Sequence, residues 1–221
     1  MHFYYDVHTH SNKSPENVVQ VRSLFHDQLQ LIQDLPDVWY AVGWHPWHVD
    51  AESSDEIFSL LEKVIRNEKV ISLGETGLDR SIKIPINLQE NIFSRHLSLA
   101  EKAYMPVIVH AVKSYPDIIR VYKEAKVDIP LIIHGFRGNL QSAEQLLRHG
   151  FYLSFGEALL KQNSRLEQVF QNIPFGQLFL ETDDTDTDIR KLYEKAAVLR
   201  NLEPEKLMET IGSNFKNCFG K

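Results

Sequence analysis

The sequence predicts an α/β protein of the (β/α)8 TIM barrel class, and three observations support this prediction. Short apolar runs rich in β-branched and aromatic residues recur eight times along the 221 residues. Longer segments with apolar residues at helical spacing lie between most of these runs, as in residues 57–65 and 92–103. Alternating strands and helices indicate a parallel sheet with right-handed crossovers, and eight strongly apolar strands fit a closed barrel better than an open sheet.

The predicted elements follow one another in a regular order, with one exception near the N-terminus. Ser53 and Asn139 precede two helical patterns and offer side-chain oxygens to the first-turn amides, and the pattern of residues 204–219 predicts a closing helix. Between residues 9 and 18 there is only a short polar segment with Pro15, so we expect an abbreviated first βα unit and a distorted barrel there. The predicted strands are residues 3–7, 18–25, 38–42, 70–73, 107–109, 131–133, 151–154 and 177–180.

The composition is that of an ordinary globular protein, with 43% hydrophobic and 24% charged residues. We expect a single domain over residues 1–221 and a monomeric protein. The one cysteine, Cys218, cannot form an internal disulfide, which favours the reducing cytoplasm. Neither a membrane-spanning apolar stretch nor a signal region is visible, so we expect a soluble protein without a membrane partner.

The formal net charge of −6 bears on the partners of the protein. Non-specific nucleic-acid binding draws most of its affinity from Lys and Arg side chains that neutralise phosphates. The acidic balance therefore argues against a general nucleic-acid coat protein. It is compatible with a nuclease whose bound divalent cations supply the positive charge.

Two histidines end the first predicted strand. His8 and His10 are separated by one residue, and alternate side chains of a strand share a face, so both imidazoles point the same way. This arrangement suits one metal ion, because His is the commonest metal ligand. An H-x-H pair at a protein surface is also common without a metal, so the remaining strands have to decide between the two interpretations.

Similar polar residues follow four further predicted strands: Glu75, His110, His134 and Asp183. Each one alone fits a helix N-cap or a solvated loop residue as well. In a barrel, however, the carboxyl ends of all strands meet at one face, where the active sites of this fold are built. The set of five strand ends therefore predicts a metal centre at that face.

Four histidines and two carboxylates exceed the three protein ligands of one catalytic zinc ion, so we expect two divalent ions. Glu75 is the predicted bridge between them. Asp183 is predicted to be both a ligand and the general base that accepts the proton of the attacking water. Glu181 is expected to be a hydrogen-bond partner of a ligating histidine. Mixed His and carboxylate ligands suit Zn, Mn or Fe, and weaker Mg binding is compatible.

The motifs resemble those of the TatD-like metal-dependent deoxyribonucleases, a branch of the amidohydrolase-type barrels. They run in family order over nearly the whole chain: DVHTH (6–10), GWHP (43–46), GETGLD (74–79), PVIVH (106–110), HGFRG (134–138), ETD (181–183) and NFKNCF (214–219). The resemblance implies that His8, His10, Glu75, His110, His134 and Asp183 bind the metals. It also implies that His45 lies near a substrate phosphate, and the alternative that His45 caps the turn before Pro46 stays open. It also implies hydrolysis of DNA phosphodiesters, with single-stranded or short DNA as substrate of an exonuclease rather than as a stable partner.

Three departures from the family pattern concern the substrate, and one is the abbreviated first βα unit, which removes a segment that could frame the cleft. The family usually has an arginine two residues after the histidine matched by His110, whereas this chain has Val112 followed by Lys113. Lys113 could meet a phosphate, but only as a point charge. The usual Pro, Arg and Asn loop after ETD is replaced by the acidic residues 184–188, which we expect to repel a polyanion unless the metals outweigh them.

Two other functions remain open at this point. A barrel with these ligands can also hydrolyse small carbon–nitrogen or ester bonds, because the fold does not fix the reaction. Against that alternative, we find no lysine at a strand end suited to a carbamylated bridge. A non-catalytic metal-binding protein that has lost its substrate loops is the third possibility.

Overall fold

The computed structural model describes residues 3–161 and 164–221, which divide into two compact units. The first unit consists of the described residues of Met1–Arg22, Pro36–Val38 and Ile133–Lys221. The second consists of Ser23–Leu35 and Trp39–Ile132. The single domain over residues 1–221 stays a prediction.

All eight predicted strands are present, and they form one sheet in the order of the chain. The strands are β1 (Tyr4–Thr9), β2 (Val18–Phe25), β3 (Val38–Gly43), β4 (Val70–Asp79), β5 (Val107–Val112), β6 (Leu131–Ile133), β7 (Tyr152–Phe155) and β8 (Leu178–Leu180). Paired strands run parallel, for instance β4 with β5 and β7 with β8. The chain just after β8 returns to β1, where Asp183 forms a parallel bridge with Thr9. This order confirms the predicted (β/α)8 barrel.

β4 continues to Asp79, although the apolar pattern predicts its end at residue 73. Gly74 and Gly77 have φ angles of 127° and 142°, and a Cβ on either would lie within 2.4 Å of a carbonyl oxygen of β5. Glycine is required at both positions because only it combines this conformation with so close an approach. The register shifts between Leu73 and Thr76. Glu75 therefore lies inside a strand, and the prediction that it follows the strand is wrong.

The connection between β1 and β2 is short, as predicted. The described residues 10–17 contain no helix, and the Arg22 guanidinium braces them by donating hydrogen bonds to Lys13 O at 2.9 Å and Ser14 Oγ at 2.7 Å. The connection between β2 and β3 is also reduced, since residues 26–37 hold only the 3₁₀ turn Leu29–Leu31. The sequence pattern did not predict this second reduction.

Within the described residues, seven α-helices follow the later strands. They are α1 (Ser54–Val64), α2 (Ile86–Ala103), α3 (Tyr115–Ala125), α4 (Leu140–Arg148), α5 (Ser164–Asn172), α6 (Ile189–Arg200) and α7 (Pro204–Phe219). Asn139 caps α4 as predicted, because its side chain accepts a hydrogen bond from the Ser142 amide at 2.8 Å. The predicted cap at Ser53 is wrong, since its side chain makes no capping hydrogen bond to α1. Among the described helices, none has the length and apolar character that a membrane span requires.

The two C-terminal helices fix β1, the strand that contains His8. The hydroxyl of Tyr193 on α6 accepts a hydrogen bond from the Tyr5 amide at 2.9 Å and donates one to Tyr5 O at 3.2 Å. The Tyr5 ring packs on Phe215 of α7 at a centroid distance of 5.0 Å. A Cβ on Gly212 would lie 2.9 Å from the Tyr5 ring, so glycine permits α7 to approach.

In the second unit, the buried His96 of α2 joins the segment after β3 to the helix. Its Nε2 accepts the Trp44 amide hydrogen at 3.2 Å, and its Nδ1 lies 2.9 Å from Ile92 O. A backbone carbonyl only accepts, so Nδ1 carries the proton and the ring is neutral. Burial disfavours the charged ring and lowers the pKa of His96 to about 4, even though the hydrogen bond to Ile92 O acts in the opposite direction.

We expect His96 to make the folded protein less stable as the pH falls from about 6.5 toward 4. In that range the unfolded state binds a proton on His96 and the folded state does not, so the free energy of unfolding drops. The stability advantage of wild type over His96→Gln should shrink by about 1.6 kcal/mol between pH 6.5 and pH 5. Urea unfolding of both proteins at the two pH values measures it, and a constant difference would contradict the assignment.

Candidate functional site

Four predicted metal ligands, His8, His10, His134 and Asp183, lie together in the first unit, and we call them the β1 group. His8 is fully buried at the end of β1. The Nε2 atoms of His8 and His10 lie 3.4 Å and 3.9 Å from the same oxygen, Asp183 Oδ1. Ligands of a tetrahedral zinc ion, with bonds of about 2.0 Å, lie about 3.3 Å apart. The separations are thus suited to side chains that share one ion.

Backbone hydrogen bonds place Asp183 beside β1. Its amide donates to His8 O at 2.9 Å, and its carbonyl accepts the His10 amide hydrogen at 3.0 Å. Asp183 has a φ angle of 55°, in the left-handed region that Asp and Asn adopt more readily than most residues. The backbone pairing therefore brings Asp183 to His8 and His10, which lie more than 170 positions before it in sequence.

His134, just after β6, completes the β1 group. Its ring lies 4.3 Å from that of His8, and His8, His134 and Asp183 each offer a ligand atom within 4.8 Å of the others. Glu181 is fully buried, and its Oε1 accepts the Gly135 amide hydrogen at 2.6 Å and lies 3.4 Å from His134 Nδ1. This position fits the predicted role of Glu181, which is to orient a ligating histidine.

The sequence analysis missed Asp6, which binds the residue next to Asp183. Its carboxyl group accepts hydrogen bonds from the amide and the hydroxyl of Thr182, at 2.9 Å and 2.7 Å. Burial raises the pKa of Asp6 to about 7. Asp6 alternates with His8 and His10 along β1, so the period of two was the signal that could have identified it. Asp6 holds the segment containing Asp183 against β1.

The other two predicted ligands, Glu75 and His110, lie together in the second unit with His45, and we call these three residues the β4 group. His110 Nδ1 lies 2.6 Å from Glu75 Oε1, and His45 Nε2 lies 3.1 Å from the same oxygen. All three side chains are buried. Their three ligand atoms lie within 4.8 Å of one another, so the β4 group can also hold an ion.

Hydrogen bonds on the far side of each ring determine what the two histidines of the β4 group can do. His110 Nε2 lies 3.2 Å from Asp79 Oδ2, and because a carboxylate only accepts, Nε2 carries the proton. His110 Nδ1 then faces Glu75 Oε1 with a lone pair. Two acceptor atoms 2.6 Å apart are held by a cation between them, a proton or a metal ion, so this pair fits a metal ligand set.

His45 is arranged in the opposite way. Its Nδ1 accepts the backbone amide hydrogen of Trp47 at 3.2 Å, so in the neutral ring Nε2 carries the proton and donates it to Glu75 Oε1. A protonated nitrogen cannot ligate a metal ion. His45 is therefore suited to donate a hydrogen bond to an anionic oxygen, and its position near a substrate phosphate stays a prediction.

Asp79, at the end of β4, is the second residue that the sequence analysis missed. Burial would raise the pKa of its carboxyl group, but hydrogen bonds from Ser81, Trp47 and His110 outweigh burial and lower the pKa to about 2. Asp79 therefore stays anionic and keeps the His110 proton on Nε2. Its position in the GETGLD motif, on the same strand as Glu75, could have indicated this role.

Asp79→Asn is expected to weaken metal binding by the β4 group and hydrolysis by about 10- to 100-fold. An amide can donate to His110 Nε2, which would move the ring proton to Nδ1 and block that ligand atom. Metal titration and rate measurements at several metal concentrations test this. Asp117→Asn is the matched control, because Asp117 pairs with Arg80 on the surface of the same unit. Equal metal affinity in Asp79→Asn and wild type would contradict the role.

The second predicted substrate residue, Lys113, is not part of the β4 group. It follows the last residue of β5 with a φ angle of 52°, and its side chain is exposed. Its contact with a substrate phosphate stays a prediction.

The acidic segment after Asp183 is less repulsive than its sequence indicates. Asp186 forms an ion pair with Lys13 at 2.7 Å. Asp188 caps α6 by accepting the Arg190 amide hydrogen at 3.0 Å, and it pairs with the Arg190 guanidinium at 3.2 Å. Two of the three added carboxylates thus have positive partners, although such exposed pairs are screened by salt.

The amino-acid sequence is similar to a known protein family and to several of its members. The family model described as TatD related DNase matches residues 6–220. An uncharacterized metal-dependent hydrolase of Bacillus subtilis, YabD, is 27% identical over 208 residues, covering 86% of this chain and 81% of that protein. The 3′-5′ ssDNA/RNA exonuclease TatD of Pectobacterium atrosepticum is 30% identical over 182 residues, covering 80% of this chain and 69% of that protein.

Solved structures show the same fold. The crystal structure of YjjV, a TatD homologue from Escherichia coli, superposes with a TM-score of 0.87 at 21% identity, and the match covers 99% of this chain and 98% of that one. A TatD-family hydrolase from Entamoeba histolytica gives a TM-score of 0.81 at 17% identity, with 99% and 98% coverage. At these identities the likeness supports the barrel fold alone.

Proposed function

The chain belongs to the family of TatD-related DNases, and from this premise we propose that it is a 3′-5′ exonuclease on single-stranded or short DNA. Membership makes it a metal-dependent hydrolase of ester bonds. The direction and the substrate are proposed because the relative from Pectobacterium atrosepticum has the name of a 3′-5′ ssDNA/RNA exonuclease.

The observation that carries the proposal is the convergence of His8 and His10 on Asp183 Oδ1 within the β1 group. Three buried or half-buried side chains aim ligand atoms at one point, and the return of the chain onto β1 fixes them there. Two imidazole nitrogens and a carboxylate oxygen at these separations have the chemistry and the spacing of ligands that share one divalent ion.

We propose one divalent ion for the β1 group, held by His8, His10, His134 and Asp183, and one for the β4 group, held by Glu75 and His110. When bound, such ions polarise a phosphodiester and lower the pKa of water. Their identity, Zn, Mn or Mg, stays a prediction, as does the role of Glu75 as a bridge.

The protein side chains supply the proton transfers and the orientation. Asp183 is 30% exposed at its side chain, so water and substrate can reach its carboxylate, which can accept the proton of the attacking water. His45 Nε2–H can donate to a phosphate oxygen. Asp6 and Asp79 act through Thr182 and His110 and are positioning residues.

Cleavage of a 5′-labelled single-stranded DNA oligonucleotide in Mg, Mn or Zn tests the proposal, with a chelator control and a circular single strand beside it. We expect stepwise shortening from the 3′ end that requires metal, while the circle stays intact. Cleavage of the circle would overturn exonuclease action. Absence of any DNA cleavage, together with metal-dependent hydrolysis of a small amide or ester, would favour the alternative amidohydrolase activity.

We propose the cytoplasm as the compartment of the protein, since the one thiol, Cys218, is buried in α7 and needs no oxidising environment. Nucleic acid is proposed as the substrate and not as a stable partner, and a monomer is the predicted assembly.

A further inference from the structure

Trp47 is unusually exposed for a large aromatic residue. It exposes 54% of its surface, although a side chain of this size gains much free energy from burial. Two other aromatic residues beside the motifs, Trp44 and Phe136, are almost completely buried, which assigns them to the core. Trp47 therefore has an exposed ring that core packing does not explain.

Two hydrogen bonds hold Trp47, one made by its ring and one by its backbone. Its indole N–H donates to Asp79 Oδ2 at 2.8 Å, and its backbone N–H donates to His45 Nδ1 at 3.2 Å. The polar edge of the indole is thus bound to the protein. The exposed part of the side chain is apolar ring surface. Because the hydrogen bond to Asp79 already orients the ring, a ligand that binds to it loses little free energy to side-chain ordering.

The ring stands next to the β4 group. Its centroid lies 4.9 Å from that of His45 and 5.9 Å from that of His110, nearly perpendicular to both. The half-exposed Phe25 lies 5.5 Å from His45. Aromatic rings thus adjoin the histidine that is suited to donate a hydrogen bond to a phosphate oxygen.

We propose that Trp47 is a stacking platform for a nucleobase of the substrate whose phosphate is bound at His45. The proposal rests on the proposed nuclease function and assigns a base-binding subsite to it. Stacking on an aromatic ring is tolerant of base identity, because every base has a π-face. The subsite should therefore distinguish a base from its absence, and hardly one base from another.

A binding measurement tests Trp47 without turnover. In the Asp183→Asn protein, a single-stranded oligonucleotide should quench part of the tryptophan emission, and an oligonucleotide of abasic residues should quench much less. Replacing Trp47 by Phe should remove the quenching. Trp39→Phe should leave it, because Trp39 lies in β3 and its ring packs against Lys69. Quenching that survives in Trp47→Phe would overturn the proposal.

A kinetic measurement separates stacking from a structural role. Trp47→Ala should raise KM about tenfold for a base-bearing oligonucleotide and leave KM for one with abasic residues at its 3′ end unchanged. Trp47→Phe should keep most of the affinity, since it keeps a ring. A fall of kcat on both substrates alike would show instead that Trp47 only supports Asp79, and would overturn the stacking role.

The two proposals fail in different ways. If wild type cleaves no oligonucleotide in any metal, the nuclease function is wrong. If no oligonucleotide quenches the tryptophan emission, the base-binding subsite is wrong. If wild type cleaves base-bearing and abasic ends with the same KM, only the stacking role of Trp47 is wrong.

Discussion

Asp183→Asn is expected to lower the rate of DNA hydrolysis by about 10²- to 10⁴-fold. The amide cannot accept the proton of the attacking water and is a weaker metal ligand than a carboxylate. The fold should persist, because Asn tolerates the φ angle of 55° at this position and the backbone hydrogen bonds to His8 and His10 do not involve the side chain. Initial rates on a labelled oligonucleotide at saturating metal measure the effect.

Asp184→Asn is the matched control for this substitution. Asp184 is the next residue and has an exposed carboxylate. Asp184→Asn therefore removes the same charge from the same segment and leaves the β1 group unchanged. Its rate should stay within about twofold of wild type. If both variants hydrolyse DNA like wild type, Asp183 is neither a base nor a required ligand; if both lose activity equally, the charge of the segment matters and the position does not.

Removal of divalent metal is expected to reduce hydrolysis to background and to lower the melting temperature. The buried side chains of the β1 and β4 groups gain a shared cation only in the metal-bound protein, and an ion at 100 times its Kd stabilises the folded state by about 2.7 kcal/mol per site. Activity and thermal unfolding, measured after chelation and again after adding Mn or Zn, test this. Both should recover.

Two histidine substitutions, one inside the β1 group and one outside both groups, test whether the stabilisation by metal comes from the proposed ligands. His8→Gln should lose most of the metal-dependent rise in melting temperature that the β1 group provides, whereas His149→Gln, at the end of α4 and outside both groups, should keep it. Hydrolysis that continues undiminished in excess chelator would contradict the metal requirement altogether.

The strands were predictable because a buried parallel strand is a continuous apolar run. The C-terminal half of β4 was not predicted, because Gly74, Glu75 and Gly77 interrupt the apolar run while the backbone continues to pair with β5. The sequence also did not predict that the described residues between β2 and β3 form only one 3₁₀ turn. The spacing of the apolar residues 31, 32 and 35 does not distinguish such a turn from a full helix.

The metal ligands were predictable from residue type and position, whereas the residues that orient them were not. Asp6 acquires its role from Thr182, which lies 176 positions away. Asp79 acquires its role from His110 and Trp47, which approach only in the folded chain. The protonation of His45 likewise depends on the Trp47 amide. Contacts of this kind are tertiary, and local sequence patterns do not contain them.

The most direct test of the account is the number of divalent ions bound per chain, counted by native mass spectrometry in micromolar Zn or Mn. We predict two ions for wild type, one after His110→Gln and one after the double substitution His8→Gln, Asp183→Asn. A wild-type chain without ions, or variants that bind as many ions as wild type, would contradict the assignment of the β1 and β4 groups as metal sites.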